Sequence, residues 1–116
     1  MVHGLPPFYD NNVQKMYHKI LHEPLQFPRG QNQVAMSEPL KTLIRGLLER
    51  KISSRLGSGR TDGMELKASA FLKSLDFDRV LAKAIVPEFK PPEMRSEIDT
   101  RNFDPEFTRE RVRKIS

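Results

Sequence analysis

Apolar residues recur at helical spacing in two stretches of the chain. Val13, Met16, Tyr17, Ile20 and Leu21 fall at i, i+3, i+4, i+7 and i+8, and Leu40, Leu43, Ile44, Leu47 and Leu48 repeat the pattern. This spacing lays one apolar stripe along a helix. Asn11 or Asn12 is placed to cap the first helix, and Pro24 ends it, because the residue before a proline is pushed out of the helical region. Ser37 is a good cap for the second, with Glu38 and Pro39 in its first turn. Arg50 and Lys51 at its far end suit the negative pole of the helix dipole. Residues 25–35, with Pro28 and Gly30, read as a loop.

The second half is less periodic. Residues 57–63 form a loop, and Asp62 is placed to cap a third helix carrying Glu65, Leu66 and Lys67. The apolar content continues through Phe71, Leu72 and Leu75. Asp76 is expected to cap a short fourth helix with Phe77, Val80 and Leu81 facing inward. From Ile85 onward Pro87, Pro91, Pro92 and Pro105 punctuate an extended strap carrying Phe89, Phe103 and Phe107. No stretch alternates as a strand would, so the expected fold class is all-α. An aromatic-studded strap of this kind lies across another surface, with its rings as anchors.

Composition narrows the function. With 116 residues, 37% hydrophobic and no Trp, the chain is one domain or part of one, with a thin core. The absence of Cys excludes disulfides and thiolate chemistry. No apolar run approaches the roughly 20 residues that span a bilayer. The first residues lack the basic-then-apolar layout of a signal peptide, so a cytoplasmic or nuclear location is expected. Much of the net charge of +5 sits at the end, where Arg109, Arg111, Arg113 and Lys114 face only Glu110. That end reads as a solvated terminus rather than a nucleic-acid site.

Candidate chemistry is sparse. His18 and His22 lie one helical turn apart, but the intervening Lys-Ile-Leu lacks the Glu of a metalloprotease helix. Gly57, Gly59 and Gly63 loosely suggest a phosphate cradle, yet the spacing is wrong and a helix, not a strand, precedes them. Arg50 and Arg113 each stand three residues before a serine, an arrangement basophilic kinases use. The residues mark no catalytic centre and no metal site. Arg55 stands out in Ser54-Arg55-Leu56-Gly57: with its stem packed beside Ile52 and Leu56, its guanidinium cannot deprotonate and needs a carboxylate or several carbonyls.

Three motifs in order carry a resemblance: Gly4-Leu-Pro-Pro-Phe-Tyr9, Arg55-Leu56-Gly57 after a helix, and Asn102-Phe-Asp-Pro-Glu-Phe-Thr108. Together they resemble the C-terminal part of an AGC-type serine/threonine protein kinase. The nearest likeness is to the serum- and glucocorticoid-regulated kinases and their fungal relatives, then protein kinase B. The resemblance covers nearly all of the chain, and residues 96–100 leading into Asn102 are especially like the fungal group. It implies that residues 1–83 belong to the kinase large lobe, with 13–23 as helix G, 37–50 as helix H and 62–75 within the last helix. Residues 84–116 then correspond to the regulatory tail. Phe103 matches the tail aromatic beside the adenine of ATP. Arg55 matches the arginine that pairs with the Glu of the Ala-Pro-Glu motif.

The motifs that position ATP, magnesium and the substrate hydroxyl in such kinases do not occur in these residues: no glycine-rich loop on a strand, no Val-Ala-Ile-Lys, no His-Arg-Asp, no Asp-Phe-Gly. The resemblance therefore implies a kinase fragment without catalysis of its own, using ATP, magnesium and protein substrates only through the rest of a parent. The alternative is a stand-alone module binding a kinase small lobe through its tail. Five positions depart from the family pattern. Lys51-Ile52 stands for Asp-Pro, which is expected to weaken the turn after helix H. Ser69 stands for His, Phe77 for Trp, and Ala84 for a tail proline. Leaving five large apolar side chains per helix unburied forgoes about 1.5–3 kcal/mol each. A loosely packed or aggregation-prone isolated chain is expected.

Overall fold

Capping chemistry starts the helices where the apolar stripes begin. In the computed structural model, which describes residues 4–28 and 35–111, helix is the only regular secondary structure among the described residues. Gly30 and the middle of the first loop, together with Arg113, Lys114 and Ser116 of the basic end, lie outside the described residues.

Helix α1 spans Val13–His22, and its cap is Asn12, whose Oδ1 accepts from the Lys15 amide at 3.0 Å. Helix α2 spans Glu38–Leu47, and Ser37 Oγ accepts from the Leu40 amide at 3.4 Å. It stops before Arg50, the end expected from sequence. Leu48 leaves the helical region at φ −99° and ψ 12°. The chain then folds back, and the Leu56 amide donates to Gly46 O at 2.9 Å. Gly46 permits this approach, since a Cβ there would stand 3.2 Å from Leu56 Cβ. The turn after α2 survives the Lys51-Ile52 departure. It closes as a 3₁₀ turn over Ile52–Ser54, with Ser54 N donating to Lys51 O at 3.0 Å and Arg55 N to Ile52 O at 3.1 Å.

The third helix is shorter than the sequence suggests. Helix α3 covers only Gly63–Lys67, and Asp62 makes no capping bond because its backbone sits at φ +44°. Beyond it the amides of Ser69, Leu72 and Leu75 each reach back three residues, so turns replace a continuous helix. Ser69 Oγ is buried without a partner among the described residues. Helix α4, Phe77–Leu81, starts as expected at Asp76, whose Oδ1 accepts from both Asp78 N and Arg79 N at 3.1 Å. It ends in a Schellman-type turn with Lys83 at φ +56°, Ala84 N donating to Arg79 O and Lys83 N to Val80 O. The strap also contains a helical turn, α5 over Pro105–Thr108, where Asp104 caps and Pro105 opens the first turn.

Of the described residues only Leu43 is a buried apolar side chain. Tyr17, Ile20 and Leu21 of the α1 stripe and Leu47 and Leu48 of the α2 stripe are exposed. Val80 and Leu81, expected to face inward, are exposed as well, whereas Phe77, expected inward with them, is half-buried under Lys67 at 5.2 Å from its ring. The chain exposes 11200 Å², whereas a compact monomer of this mass exposes about 6,500 Å². Its radius of gyration is 19.2 Å, against about 13 Å for a compact domain of this length. The helices form, but among the described residues most of their apolar side chains stay exposed, with Leu43 alone fully buried and Met16, Leu40 and Ile44 half-buried.

Candidate functional site

Two hydrogen-bonded units hold the residues of interest: the junction of α1 and α2, and a loop in the strap.

At the junction, Arg50 lies just past α2 but does not serve the dipole of its own helix, as the sequence suggested. Its side chain crosses to the C-terminus of α1, where Nε donates to Ile20 O at 2.9 Å and one Nη to Lys19 O at 3.3 Å and to Glu23 O. Ile20 O and Glu23 O belong to the end of the helix, where carbonyls lack intrahelical partners, while Lys19 O also accepts from Glu23 N at 3.0 Å. The guanidinium also stacks 5.4 Å from the Phe8 ring, which ties the Pro-Pro-Phe-Tyr loop to both helices. Next to it, Arg55 Nε donates to Glu49 O at 2.8 Å and Nη2 to Arg50 O at 3.4 Å. Arg55 is thus satisfied here by backbone carbonyls at the α2 exit, and it is exposed. The local acids that could have paired with it are placed elsewhere. Glu65 Oε2 accepts from Gly57 N at 2.9 Å and Oε1 from Thr61 Oγ1 at 3.3 Å, closing the glycine loop.

The approach to α1 is held by its own charges. Asp10 accepts from Asn12 N at 2.8 Å and meets Lys19 Nζ at 3.1 Å. The Asn12 amide, then the Lys19 ammonium, hold the Asp10 carboxyl below its ordinary value. On the other side an open cleft of 780 Å³ lies between Pro7, Tyr9, Phe27, Lys41 and Arg45. Arg45 stacks over Phe27 at 5.0 Å, and Lys41 pairs with Glu38 at 2.8 Å. His18 and His22 have ring centroids 4.7 Å apart, and no third ligand-type residue joins them among the described residues.

The strap unit centres on Asp99. Its Oδ2 accepts from Arg95 N at 2.8 Å and from Arg101 Nε at 2.7 Å, while Oδ1 accepts from Arg101 N at 3.0 Å. The Arg95 amide, then the Arg101 amide, hold this carboxyl below its ordinary value. Asn102 Nδ2 donates to Pro92 O at 3.0 Å, and Phe103 N to Thr100 O at 2.9 Å. Residues 92–102 therefore form a closed loop. Phe103, directly after it, is 64% exposed, and Phe107 is 69% exposed. Sequence reasoning singled out Phe103 and Arg55 but passed over Arg50 as a cross-helix clamp and Asp99 altogether. Asp99 takes the Asx-turn role open to any Asp, accepting from the amide two residues on, and only the folded bend selects it.

Comparison with known proteins shows what these units are similar to. Residues 94–115 match the family described as Protein kinase C terminal domain. The chain is 47% identical over 110 residues to the serine/threonine-protein kinase gad8 of Schizosaccharomyces pombe, covering 95% of this chain and 18% of that protein. It is 47% identical over 111 residues to the serine/threonine-protein kinase YPK2/YKR2 of Saccharomyces cerevisiae, covering 96% of this chain and 15% of that one. Human serine/threonine-protein kinase Sgk2 is 40% identical over 114 residues, covering 98% of this chain and 29% of its own. The chain is related, along nearly its whole length, to the C-terminal part of AGC-type serine/threonine protein kinases. It spans less than a third of the length of these relatives.

Proposed function

We propose that this chain is the C-terminal segment of an ATP-dependent serine/threonine protein kinase, working only as part of the larger catalytic unit. The observation that carries the reading is the combination of 47% identity to such kinases with apolar helix faces left largely exposed among the described residues. Residues 1–83 would pack on the remainder of the large lobe, and residues 84–116 would run back as its tail. Arg55, held at the α2 exit by carbonyls, would exchange these for a glutamate of the parent. Phe103 presents a free ring of the kind that packs on a purine, so it fits the adenine of ATP. Magnesium does not fit the described residues, which contain no cluster of three potential ligands. The phosphates, the metal and the protein substrate would be held by other parts of the parent. No helix is long and apolar enough to cross a membrane among the described residues, and we place the parent in the cytoplasm or nucleus.

The test is a chimera in which this chain replaces the matching 110-residue segment of the gad8 kinase. Transfer of labelled phosphate to a peptide at near the parental rate supports the reading. A soluble chimera without transfer overturns it. Binding of the isolated chain to an intact kinase, abolished by Phe103→Ala, would instead favour a stand-alone regulatory module.

A further inference from the structure

We infer that Asp99 is a positioning residue which folds the strap into a preformed loop and so sets where Phe103 is presented. The inference deepens the kinase reading above and rests on it for the consequence at the nucleotide, though not for the loop itself.

A strap that merely lay across a surface would gain its order from that surface, yet this segment holds itself. One carboxylate gathers two backbone amides from opposite sides of a bend, those of Arg95 and Arg101, and also the Arg101 side chain. Asp99 N donates to Ser96 O at 3.1 Å, which tightens the same bend. A second tie, Asn102 to Pro92 O, closes the loop ten residues apart in sequence. The Asp99 side chain is 14% exposed, although every residue around it is solvent-facing. Charge-assisted bonds from amides to a carboxylate are the stronger kind and fix direction. Immediately beyond, Phe103 N is bound to Thr100 O and Asp104 caps α5 with an acceptor for Glu106 N at 2.9 Å. Phe103 thus stands between two locally closed turns, with its backbone bonded on the loop side and its ring free. Ordering a strap on docking costs conformational entropy, and a preformed loop has already met that cost.

Two measurements separate this inference from the reading it rests on. In the 116-residue chain, amide exchange at Arg95 and Arg101 should be slowed in the wild type and accelerate about tenfold in Asp99→Ala, with Asp99→Asn, which keeps one acceptor oxygen, between them. Exchange at random-coil rates in the wild type would overturn the inference. In the gad8 chimera, Asp99→Ala should raise KM for ATP several-fold with kcat nearly unchanged, as should Phe103→Ala. If Phe103→Ala raises KM and Asp99→Ala does not, positioning by Asp99 is refuted. If slowed amides persist but Phe103→Ala leaves KM unchanged, the adenine role of the strap fails while the preformed loop stands.

Discussion

Replacing Arg50 by alanine should release the C-terminal turn of α1 and the Phe8 loop together. Arg50 bridges three carbonyls of α1, those of Lys19, Ile20 and Glu23, and stacks on Phe8. The site is exposed, so each contact is taken at the modest end, about 0.5–1 kcal/mol, with about 0.5 kcal/mol for the ring. The local total is about 2–3.5 kcal/mol, which corresponds to a rise of roughly thirty- to four-hundredfold in the opening constant of that turn. Arg50→Lys should recover only part of this, because an ammonium is a point donor without the planar fork that spans several carbonyls. The assay is residue-resolved amide exchange over α1, read with the ring-proton shifts of Phe8. Faster exchange confined to the last turn of α1, with Phe8 moving toward its free-chain shift, is expected. Unchanged exchange and an unchanged Phe8 in Arg50→Ala would refute the clamp.

Other perturbations have directions set by the same geometry. Lys83 occupies φ +56°, so Lys83→Gly should stabilise the end of α4 by about 0.5–1 kcal/mol, seen as slower exchange at Ala84, and Lys83→Val should do the reverse. A Cβ at Gly59 would lie 2.0 Å from Glu65 Oε1. Gly59→Ala should therefore expose the Gly57 amide, and adding it to Glu65→Ala should cost almost nothing further in a double-mutant cycle. The Asp99 carboxyl is held below its ordinary 3.8. Its contribution to the strap loop should be complete above that pH and disappear as pH falls through the lowered value, monitored at the Arg95 and Arg101 amides.

How much of this was legible in the residues divides by physical cause. Asn12, Ser37 and Asp76 were readable as caps because a cap is local chemistry: a short side chain meeting an amide two or three positions on. The two apolar stripes were readable because periodicity is local too. The end of α2 was misread by three residues, since Leu56 folding back on Gly46 is a contact between positions distant in sequence. Asp62 has the right composition for a cap but the wrong backbone, and helical content after α3 gives way to turns. The α5 turn was present in Asp104-Pro105-Glu106 but was overridden by the proline count of the strap. Arg50 was assigned to the nearer helix dipole because sequence distance hides that α1 ends beside it. The exposure of Val80 and Leu81 is not legible in the residues, because apolar spacing specifies a face and not what covers it.

Dependence of the apolar faces on partners outside these residues is the claim on which the account turns, and scanning calorimetry of the isolated chain tests it most directly. A self-contained domain of 116 residues would melt in one sharp transition with an enthalpy of about 80 kcal/mol. The account predicts no such peak: a broad, weak heat change, or aggregation, from a chain that leaves 11200 Å² in solvent. A sharp, reversible, full-enthalpy transition from a soluble monomer would contradict it.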